Sequence, residues 1–498
     1  MISGRSLKTE RSAGIRMTKR ILFVNGPSQD PSDRFFGWPT SLLYGIGETC
    51  KAIDAGHIDY SYSGRIFDPI WYVDELNGEN VRAALREALW NVDIVCASVT
   101  YDALFPTLEL LRAARTDHPA LTVILGGPHI DEAQAFDALR SECLRIADYL
   151  IAGDGEFALV ALLKALSFHL VEPSDFVGVA GRFTVYDRCR RIADGTVPLL
   201  LDRLDFIRLD LADVFRHKHD FDVFTDDGEI APTAQMIARR GCSYRCDYCS
   251  ERADLAYPNA RSIDNILAEI DLRRSQGFKA VFFDDSTFGQ YPRLRELLTA
   301  LGGTGLRFGC LNRFNHLVDP SLLEAYRAAG FEYFYCAIEQ FDDRTLTLVR
   351  KDQSTASIGS AMRLLHEQGF AVGVSLLYGL PSESQEGVLR TIDFTAEWAA
   401  RGTIKLVSQS VLTLHPGTPL GQRSRVMYDR PAPNRGYPFD RFEEGQWEHL
   451  PHVTSDYLED ILHRSEERFA GMLVRNRHSW YARTGLVPDS AAALQETR

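Results

Sequence analysis

The sequence predicts an α/β fold made of two successive βα series and a small, mostly helical C-terminal extension. Short apolar runs alternate with amphipathic stretches from about residue 20 to about residue 170, and the alternation resumes near residue 233. Glycine or polar residues follow most apolar runs, where ligands gather at the carboxyl ends of parallel strands. We therefore expect a Rossmann-like doubly wound sheet followed by a (β/α)6 partial TIM barrel.

Changes in composition and periodicity divide the chain of 498 residues into five segments. We predict a disordered leader (1–17), a first α/β domain (18–175), a linker (176–230), a barrel domain (231–425) and a C-terminal extension (426–498). The leader is basic and lacks the apolar core of a secretory signal, so Met17 could be the true start.

The first series contains four predicted strands whose ends carry short turn motifs. Strands are expected at 20–26, 93–100, 121–127 and 147–152, and helices at 38–50, 81–90, 105–114 and 157–166. The turns read SVT, GGPH and GDGE, and glycine there lets a ligand approach the backbone closely. The linker is expected to hold a short hairpin at 178–184 and 191–192.

The second series contains six predicted strands, which is why we expect a partial barrel with its site on the carboxyl edge. Strands are expected at 233–238, 280–284, 306–311, 333–338, 371–377 and 404–412, and helices at 262–276, 291–301, 320–329, 355–368 and 385–399. A further helix is expected at 455–475 in the extension.

Three cysteines follow the first strand of the second series at the spacing C-x3-C-x2-C: Cys242, Cys246 and Cys249. Thiolates bind soft metals, but closed zinc sites take four ligands, and the next cysteine is Cys310. The pattern therefore favours an iron–sulfur cluster with one iron left open over a zinc site or three unligated cysteines.

Composition restricts the class of protein. Hydrophobic residues make up 45% and charged residues 25%, as in soluble globular proteins. No apolar run is long enough to cross a bilayer, and a net charge of −13 argues against broad contact with nucleic acid, so we expect neither a membrane nor a nucleic-acid partner. The nine cysteines show no disulfide framework, which favours the cytoplasm.

The cysteine motif resembles that of the radical S-adenosylmethionine (SAM) enzymes, in which a [4Fe–4S] cluster binds SAM through its open iron. The resemblance implies that Asp284 and Asp285 hold the SAM amino group and that Glu339 contacts the ribose. Gly379 and Pro381 fall in the late glycine–proline turn of that family. Arg313 could pair with the SAM carboxylate or with Glu339.

The three turns of the first series resemble the cobalamin-binding domain that precedes many radical SAM domains. The implied contacts are Ser98, Thr100, Gly126, Gly127, His129, Gly153, Gly155 and Glu156. The family usually has a second glutamate where Asp154 stands. The DxHxxG motif of other cobalamin folds is absent, so we expect cobalamin with its base displaced and no histidine below cobalt; His129 is then structural or contacts the nucleotide tail.

Both resemblances together cover roughly residues 20–420 and imply a cobalamin-dependent radical SAM enzyme, methyltransferase-like (class B). Such an enzyme methylates an unactivated carbon of a small natural-product intermediate, using a 5′-deoxyadenosyl radical, methylcobalamin and an electron donor such as flavodoxin or ferredoxin. The substrate and catalytic residues stay unassigned. Two alternatives remain: an oxidative cyclase or ring-rearranging enzyme with the same cofactors, and a non-catalytic zinc-binding protein.

Overall fold

The computed structural model describes eleven stretches of the chain. They are residues 19–26, 40–62, 66–68, 78–99, 103–133, 137–209, 222–251, 259–412, 418–423, 455–469 and 473–476. The predicted leader, Thr100 and most of the C-terminal extension lie outside them.

The first seven strands form one sheet. They are β1 (Lys19–Asn25), β2 (Tyr60–Tyr62), β3 (Ile94–Ser98), β4 (Thr122–Gly126), β5 (Tyr149–Gly153), β6 (Gly181–Asp187) and β7 (Arg191–Val197). Their order is β2-β1-β3-β4-β5-β6-β7, and β1 to β5 pair in parallel. This is the doubly wound order, in which a ligand crevice opens between β1 and β3. The predicted parallel sheet is confirmed, while the short strand β2 was missed.

Helices follow the strands of this sheet. They are α1 (Thr40–Asp54), α2 (Gly78–Ala88), α3 (Leu104–Asp117), α4 (Pro128–Ala133), α5 (Asp137–Leu144) and α6 (Gly155–Phe168). The middle strands read as continuous apolar runs because helices cover both faces; Ile94, Val95, Cys96 and Ala97 of β3 are all buried.

The segment predicted as a linker begins with two strands of the first sheet. β6 pairs antiparallel with β5, and β7 pairs antiparallel with β6, so the hairpin is longer than expected and extends the sheet. The backbone N–H and C=O groups on the edge of β5 need hydrogen-bond partners, and β6 supplies them. A linker exposed to solvent would leave these groups without protein partners. Farther along, Leu201, Leu204 and Ile207 are buried in a core cluster that spans both sheets, so this stretch packs between the two domains.

The second sheet has seven parallel strands, one more than predicted. They are β8 (Thr233–Met236), β9 (Ala280–Phe283), β10 (Arg307–Asn312), β11 (Phe331–Glu339), β12 (Ala371–Tyr378), β13 (Ile404–Val411) and β14 (Leu473–Asn476). The order runs linearly from β14 to β8, as in a partial barrel.

The helices of the second half connect these strands. They are α7 (Ile263–Ser275), α8 (Leu294–Leu301), α9 (Pro320–Ala328), α10 (Asp343–Leu348), α11 (Thr355–Glu367), α12 (Gln385–Ala400), α13 (Pro419–Arg423) and α14 (Ser455–Arg468). No helix in the described part of the chain is long and apolar enough to cross a membrane.

The C-terminal extension corrects the prediction of a helix at 455–475. The helix ends at Arg468, and β14 then adds to the free edge of β13. The helical pattern was carried too far because four residues, LVRN, are too few to show a strand period, although Gly471 in the sequence marked a break.

Candidate cofactor-binding site

The three cysteines lie on the loop that follows β8, at the carboxyl edge of the barrel sheet. All three are half-buried, and Gly241 turns the chain before them with φ +84°. Burial raises the pKa of the Cys249 thiol to about 12, so a bound metal would have to displace its proton. Among the described residues, no three His, Cys, Asp or Glu side chains converge on a single ion. A [4Fe–4S] cluster binds each cysteine at a different iron, so its ligands surround the cluster and need not converge.

The segment after β9 holds the start of the cysteine loop. The Asp285 carboxylate is buried and accepts the backbone N–H groups of Ala238, at 3.2 Å, and Arg239. Burial raises the pKa of Asp285 to about 7, and these two N–H donors oppose the rise. Gln290 Oε1 accepts the backbone N–H of Ser243 at 3.0 Å. Asp285 thus supports the loop, and its predicted contact with the SAM amino group stays a prediction, as does that of the half-buried neighbour Asp284.

Arg313 reaches one of the three motif cysteines. Its Nη1 lies 3.7 Å from Cys246 Sγ, and its guanidinium lies 3.7 Å from the ring centroid of Tyr244. The residue is 7% exposed, and its Nε and Nη2 have no hydrogen-bond partner among the residues that the structure describes. A buried cation with unpaired donors is costly unless an anion neutralises it. The environment therefore fits an anionic cluster or the carboxylate of SAM.

Tyr244 is fixed by two side chains that the sequence analysis missed. Its hydroxyl lies 2.7 Å from His316 Nε2 and accepts a hydrogen bond from Asn315 Nδ2 at 2.8 Å. Burial, with a smaller contribution from Arg313, lowers the pKa of His316 and keeps the imidazole neutral near pH 7. A neutral ring nitrogen can accept a hydrogen bond from the Tyr244 hydroxyl. This hydrogen bond holds the tyrosine ring against the guanidinium of Arg313.

Glu339 does not pair with Arg313, one of the two options left open by the sequence. Glu339 Oε1 accepts Tyr248 O–H at 2.9 Å and Lys351 Nζ–H at 2.8 Å. Tyr248 stands between Cys246 and Cys249 in the sequence, so its hydrogen bond to Glu339 links the end of β11 to the cysteine loop. The backbone of Glu339 has φ +59°, a strained conformation for a non-glycine residue that is common at functional sites.

The late glycine–proline turn follows β12 and encloses a buried acid that the sequence analysis missed. Gly379 has φ +81°, and its N–H donates to Glu383 Oε2 at 2.7 Å. Tyr457 of α14 donates its hydroxyl to Glu383 Oε1 at 2.9 Å. Burial raises the pKa of Glu383 to about 7. The C-terminal extension is thereby attached to the turn that contains Pro381.

The glycines of the first domain fall into two kinds. Gly127 and Gly153 have φ +103° and +88°, and an added Cβ would lie 2.6 Å and 2.1 Å from neighbouring backbone atoms, so the fold itself requires glycine there. Gly126 and Gly155 have ordinary φ angles, and their nearest neighbours would lie 3.4 Å and 3.7 Å away. The fold would therefore tolerate a Cβ at these two positions, and a close approach by a ligand is a further reason for glycine there.

The remaining predicted cobalamin contacts lie around these turns. His129 is fully buried, which agrees with a structural role, and Ser98 is half-buried beside Gly127. Asp131, which the sequence analysis missed, accepts the N–H of Gly153 at 2.5 Å and so joins the GGPH and GDGE motifs. Burial raises the pKa of Asp131 to about 6.

The GDGE turn contacts the cysteine loop directly. Arg240 Nη1 lies 3.2 Å from Asp154 Oδ1, and Arg240 Nη2 lies 2.5 Å from Glu156 Oε1. Glu156 Oε2 is buried and has no hydrogen-bond partner among the described residues, so it can still accept an amide of a bound ligand. The carboxyl edges of the two sheets therefore meet at this contact.

The outer side of the cysteine loop borders a polar cleft of about 770 Å³. Tyr244, Arg245, Asn315 and Arg350 are among the residues that line it.

A family model identifies the class of the barrel domain. Residues 236–395 match the model of the Radical SAM superfamily, so this part of the chain is a radical SAM domain. A [4Fe–4S] cluster and SAM are the cofactors of that superfamily, which confirms both predictions at the level of the family.

Three characterised or named relatives resemble most of the chain. An uncharacterized methyltransferase of Pyrococcus horikoshii is 24% identical over 80% of this chain and 82% of its own length. The hopanoid C-3 methylase of Methylococcus capsulatus is 25% identical over 69% of this chain and 63% of its own. The anaerobic magnesium-protoporphyrin IX monomethyl ester cyclase of Cereibacter sphaeroides is 24% identical over 82% of this chain and 64% of its own length.

The two-domain fold is shared with a solved enzyme. TsrM, a radical SAM methyltransferase from Kitasatospora setae, superposes with a TM-score of 0.58 at 18% identity, over 82% of this chain and 75% of that one; its structure contains cobalamin and a [4Fe–4S] cluster. A second TsrM structure contains tryptophan substrate and a SAM analogue. The family model therefore confirms the radical SAM part of the prediction, and the shared two-domain fold agrees with the predicted cobalamin-dependent class.

Proposed function

We propose that the chain is a cobalamin-dependent methyltransferase that acts on an unactivated carbon of a small-molecule, natural-product intermediate. The observation that carries the proposal is the contact between the cysteine loop and the GDGE turn, because it brings two predicted cofactor sites to one interface. When bound there, the cofactors supply a 5′-deoxyadenosyl radical from SAM and a methyl group from cobalamin.

The cluster is assigned to Cys242, Cys246 and Cys249. The buried guanidinium of Arg313 offsets negative charge at Cys246, and Tyr244 keeps that guanidinium in place. Asp285 and Gln290 hold the loop through backbone hydrogen bonds. These groups keep three thiols at one edge of the barrel with little freedom to rearrange.

SAM is assigned to the barrel edge beside the loop. Asp284 and Asp285 are the proposed carboxylates for its ammonium group, and Asp285 also accepts two backbone N–H groups of the cysteine loop. Glu339, fixed by Tyr248 and Lys351, is placed to accept ribose hydroxyls. The turn of Gly379 and Pro381 forms the opposite wall, held by Glu383.

Cobalamin is assigned to the crevice edge of the first sheet, against Ser98, Gly126 and Gly155. The tolerance of the fold for a Cβ at Gly126 and Gly155 and the open acceptor of Glu156 support this assignment. Since His129 is fully buried, we propose that no histidine binds cobalt from below.

Methyl transfer is supported by the relatives named methyltransferase and methylase. With methyl-labelled SAM, a reduced flavodoxin or ferredoxin as electron donor and the natural substrate, we expect labelled product, 5′-deoxyadenosine and S-adenosylhomocysteine together. In the first assay, dithionite supplies the electrons and an extract of the source cells supplies the substrate.

The cyclase relative supports one competing function with the same cofactors. Deoxyadenosine formed together with a dehydrogenated or rearranged product that carries no label would contradict methylation and support cyclisation. The zinc-binding alternative predicts zinc without iron or sulfide in anaerobically purified protein, which metal and sulfide analysis measures.

A further inference from the structure

Arg240 belongs to the barrel but bonds to the first domain. It stands two residues before Cys242, and its guanidinium forks onto two carboxylates, Asp154 and Glu156. Its own backbone is anchored on the barrel side, because the Arg240 N–H donates to the Asn259 carbonyl at 2.8 Å. The residue therefore spans the boundary between the two sheets with both ends held.

The turn that receives Arg240 is itself rigid. Asp154 is the N-terminal capping residue of α6, and its Oδ2 accepts the N–H of Arg182 at 2.9 Å. Asp154 N–H in turn donates to the Arg182 carbonyl at 2.7 Å, and Asp131 holds Gly153. Asp154 Oδ1 and Glu156 Oε1 accept from Arg240, so the guanidinium meets two carboxylates on a turn that is already held in place.

The pair is too well buried to be an incidental surface contact. The Glu156 side chain is 4% exposed and that of Arg240 is 25% exposed. Without the guanidinium, Glu156 would be a buried charge without a counter-ion, which is strongly unfavourable. The contact therefore constrains the cysteine loop and the GDGE turn together.

We propose that Arg240 is a positioning residue that locks the cysteine loop to the GDGE turn and so fixes the separation of the cluster and cobalamin sites. The inference rests on the proposed function, since it concerns the two cofactors assigned there. Without this contact, the separation of the two cofactor sites would vary. Deoxyadenosine would then be formed without a matching amount of methylated product.

The first test is hydrogen–deuterium exchange on the full-length, reconstituted protein. In Arg240→Met we expect exchange to accelerate in residues 153–156 and 240–249 together, by roughly ten-fold or more, the factor that about 1.4 kcal/mol produces. Glu156→Gln, a milder change, should accelerate both segments, and adding Arg240→Met to it should add little. Arg188→Met is the matched control, because Arg188 pairs with Asp148 inside the first domain, at 2.8 Å.

The proposal would be overturned by any of three results: faster exchange in the cysteine loop alone, additive effects of Arg240→Met and Glu156→Gln, or the same acceleration in Arg188→Met. This arm needs no cobalamin chemistry, so it tests the lock even if the proposed function fails. Arg240→Lys keeps the charge and should restore part of the protection.

The second test measures the magnetic dipolar coupling between Co(II) of cobalamin and the one-electron-reduced cluster. A narrow distance distribution is expected in the wild type and in Arg188→Met, and a broad one in Arg240→Met, with a raised ratio of deoxyadenosine to methylated product. An unchanged distribution in Arg240→Met would overturn the role. A wild type that has the narrow distribution but transfers no label would contradict only the proposed function.

Discussion

At the scale of single residues, the site depends on charges that are buried next to the cysteine loop. Arg313 contacts Cys246, and Asp285 holds the loop by its backbone. Neither role could be deduced from the sequence, which gave Arg313 two possible anionic partners. The actual neighbours are set by the end of β10, which brings Arg313 against the loop after β8.

Replacing any of the three motif cysteines by alanine should abolish cluster binding. A three-thiolate site has no spare ligand, so iron and sulfide content and the visible absorbance should fall to background while cobalamin binding stays. Cys189→Ala is the control, because Cys189 is an exposed free cysteine in the first domain. A cluster retained in all three single variants would refute the assignment.

Arg313→Met should make the cluster harder to reduce. Removing a cation beside a thiolate disfavours the extra negative charge, and a shift of about 59 mV corresponds to a ten-fold change in a one-electron equilibrium. Electron paramagnetic resonance during a redox titration measures the potential. Arg245 lies in the same loop but is exposed, so Arg245→Met should leave the reduction potential nearly unchanged. The potential of Arg313→Lys should lie between those of the wild type and Arg313→Met.

At the scale of elements, turns after strands form the site and their glycines have separable functions. Gly127 and Gly153 are required by backbone geometry, whereas a Cβ at Gly126 or Gly155 would make ordinary van der Waals contact. The sequence showed four similar glycines, and only the φ angles and neighbouring atoms distinguish them.

Gly126→Val and Gly155→Val should prevent cobalamin loading and leave the cluster and the fold intact. An added Cβ makes only ordinary van der Waals contact with the protein, and the valine methyl groups beyond it would occupy the proposed cradle, so the cobalamin-to-protein ratio should fall at least about ten-fold, equivalent to 1.4 kcal/mol. Gly359→Val in α11 of the barrel domain, where a Cβ would lie 3.7 Å from the Arg363 side chain, is the control. Full cobalamin occupancy in both variants would place the ligand elsewhere.

The raised pKa of Glu383 predicts a pH-dependent stability of the protein. Its pKa is raised by burial from 4.5 to about 7, so the folded state binds the proton more tightly than the unfolded state. Its contribution is fully present below about pH 4.5 and is lost as pH rises to about 7, by about 3 kcal/mol at most. Denaturant titrations at pH 4.5 and 7.5 should show a smaller pH-dependent loss for Glu383→Gln than for the wild type; equal losses would contradict this.

At the scale of the whole molecule, the two domains are joined by packing and by buried charge. Glu269 of α7 pairs with Arg261 at 2.6 Å and with Arg273 at 2.5 Å, and all three side chains are almost fully buried. Arg273 also donates to the Ile207 carbonyl at 3.1 Å, in the stretch between the domains.

Glu269→Gln should destabilise the protein by about 3–5 kcal/mol, because it leaves two buried guanidinium groups without a counter-ion. Chemical denaturation measures the change in the free energy of unfolding. Glu296→Gln, which breaks an exposed pair with Arg293, should leave the free energy of unfolding nearly unchanged. A change in Glu269→Gln as small as that in Glu296→Gln would contradict this prediction.

Sequence alone determined the α/β class, the doubly wound first sheet and the cysteine motif, because periodicity and ligand spacing are local properties of the chain. It also located the strand ends, since those polar and glycine residues follow apolar runs directly. Tertiary structure decided the hairpin in the first sheet, the seventh barrel strand, and the partners of Arg240, Arg313 and Glu339. These depend on which chain segments meet across the fold, and residues 86 positions apart, such as Asp154 and Arg240, show no mutual signal in one sequence.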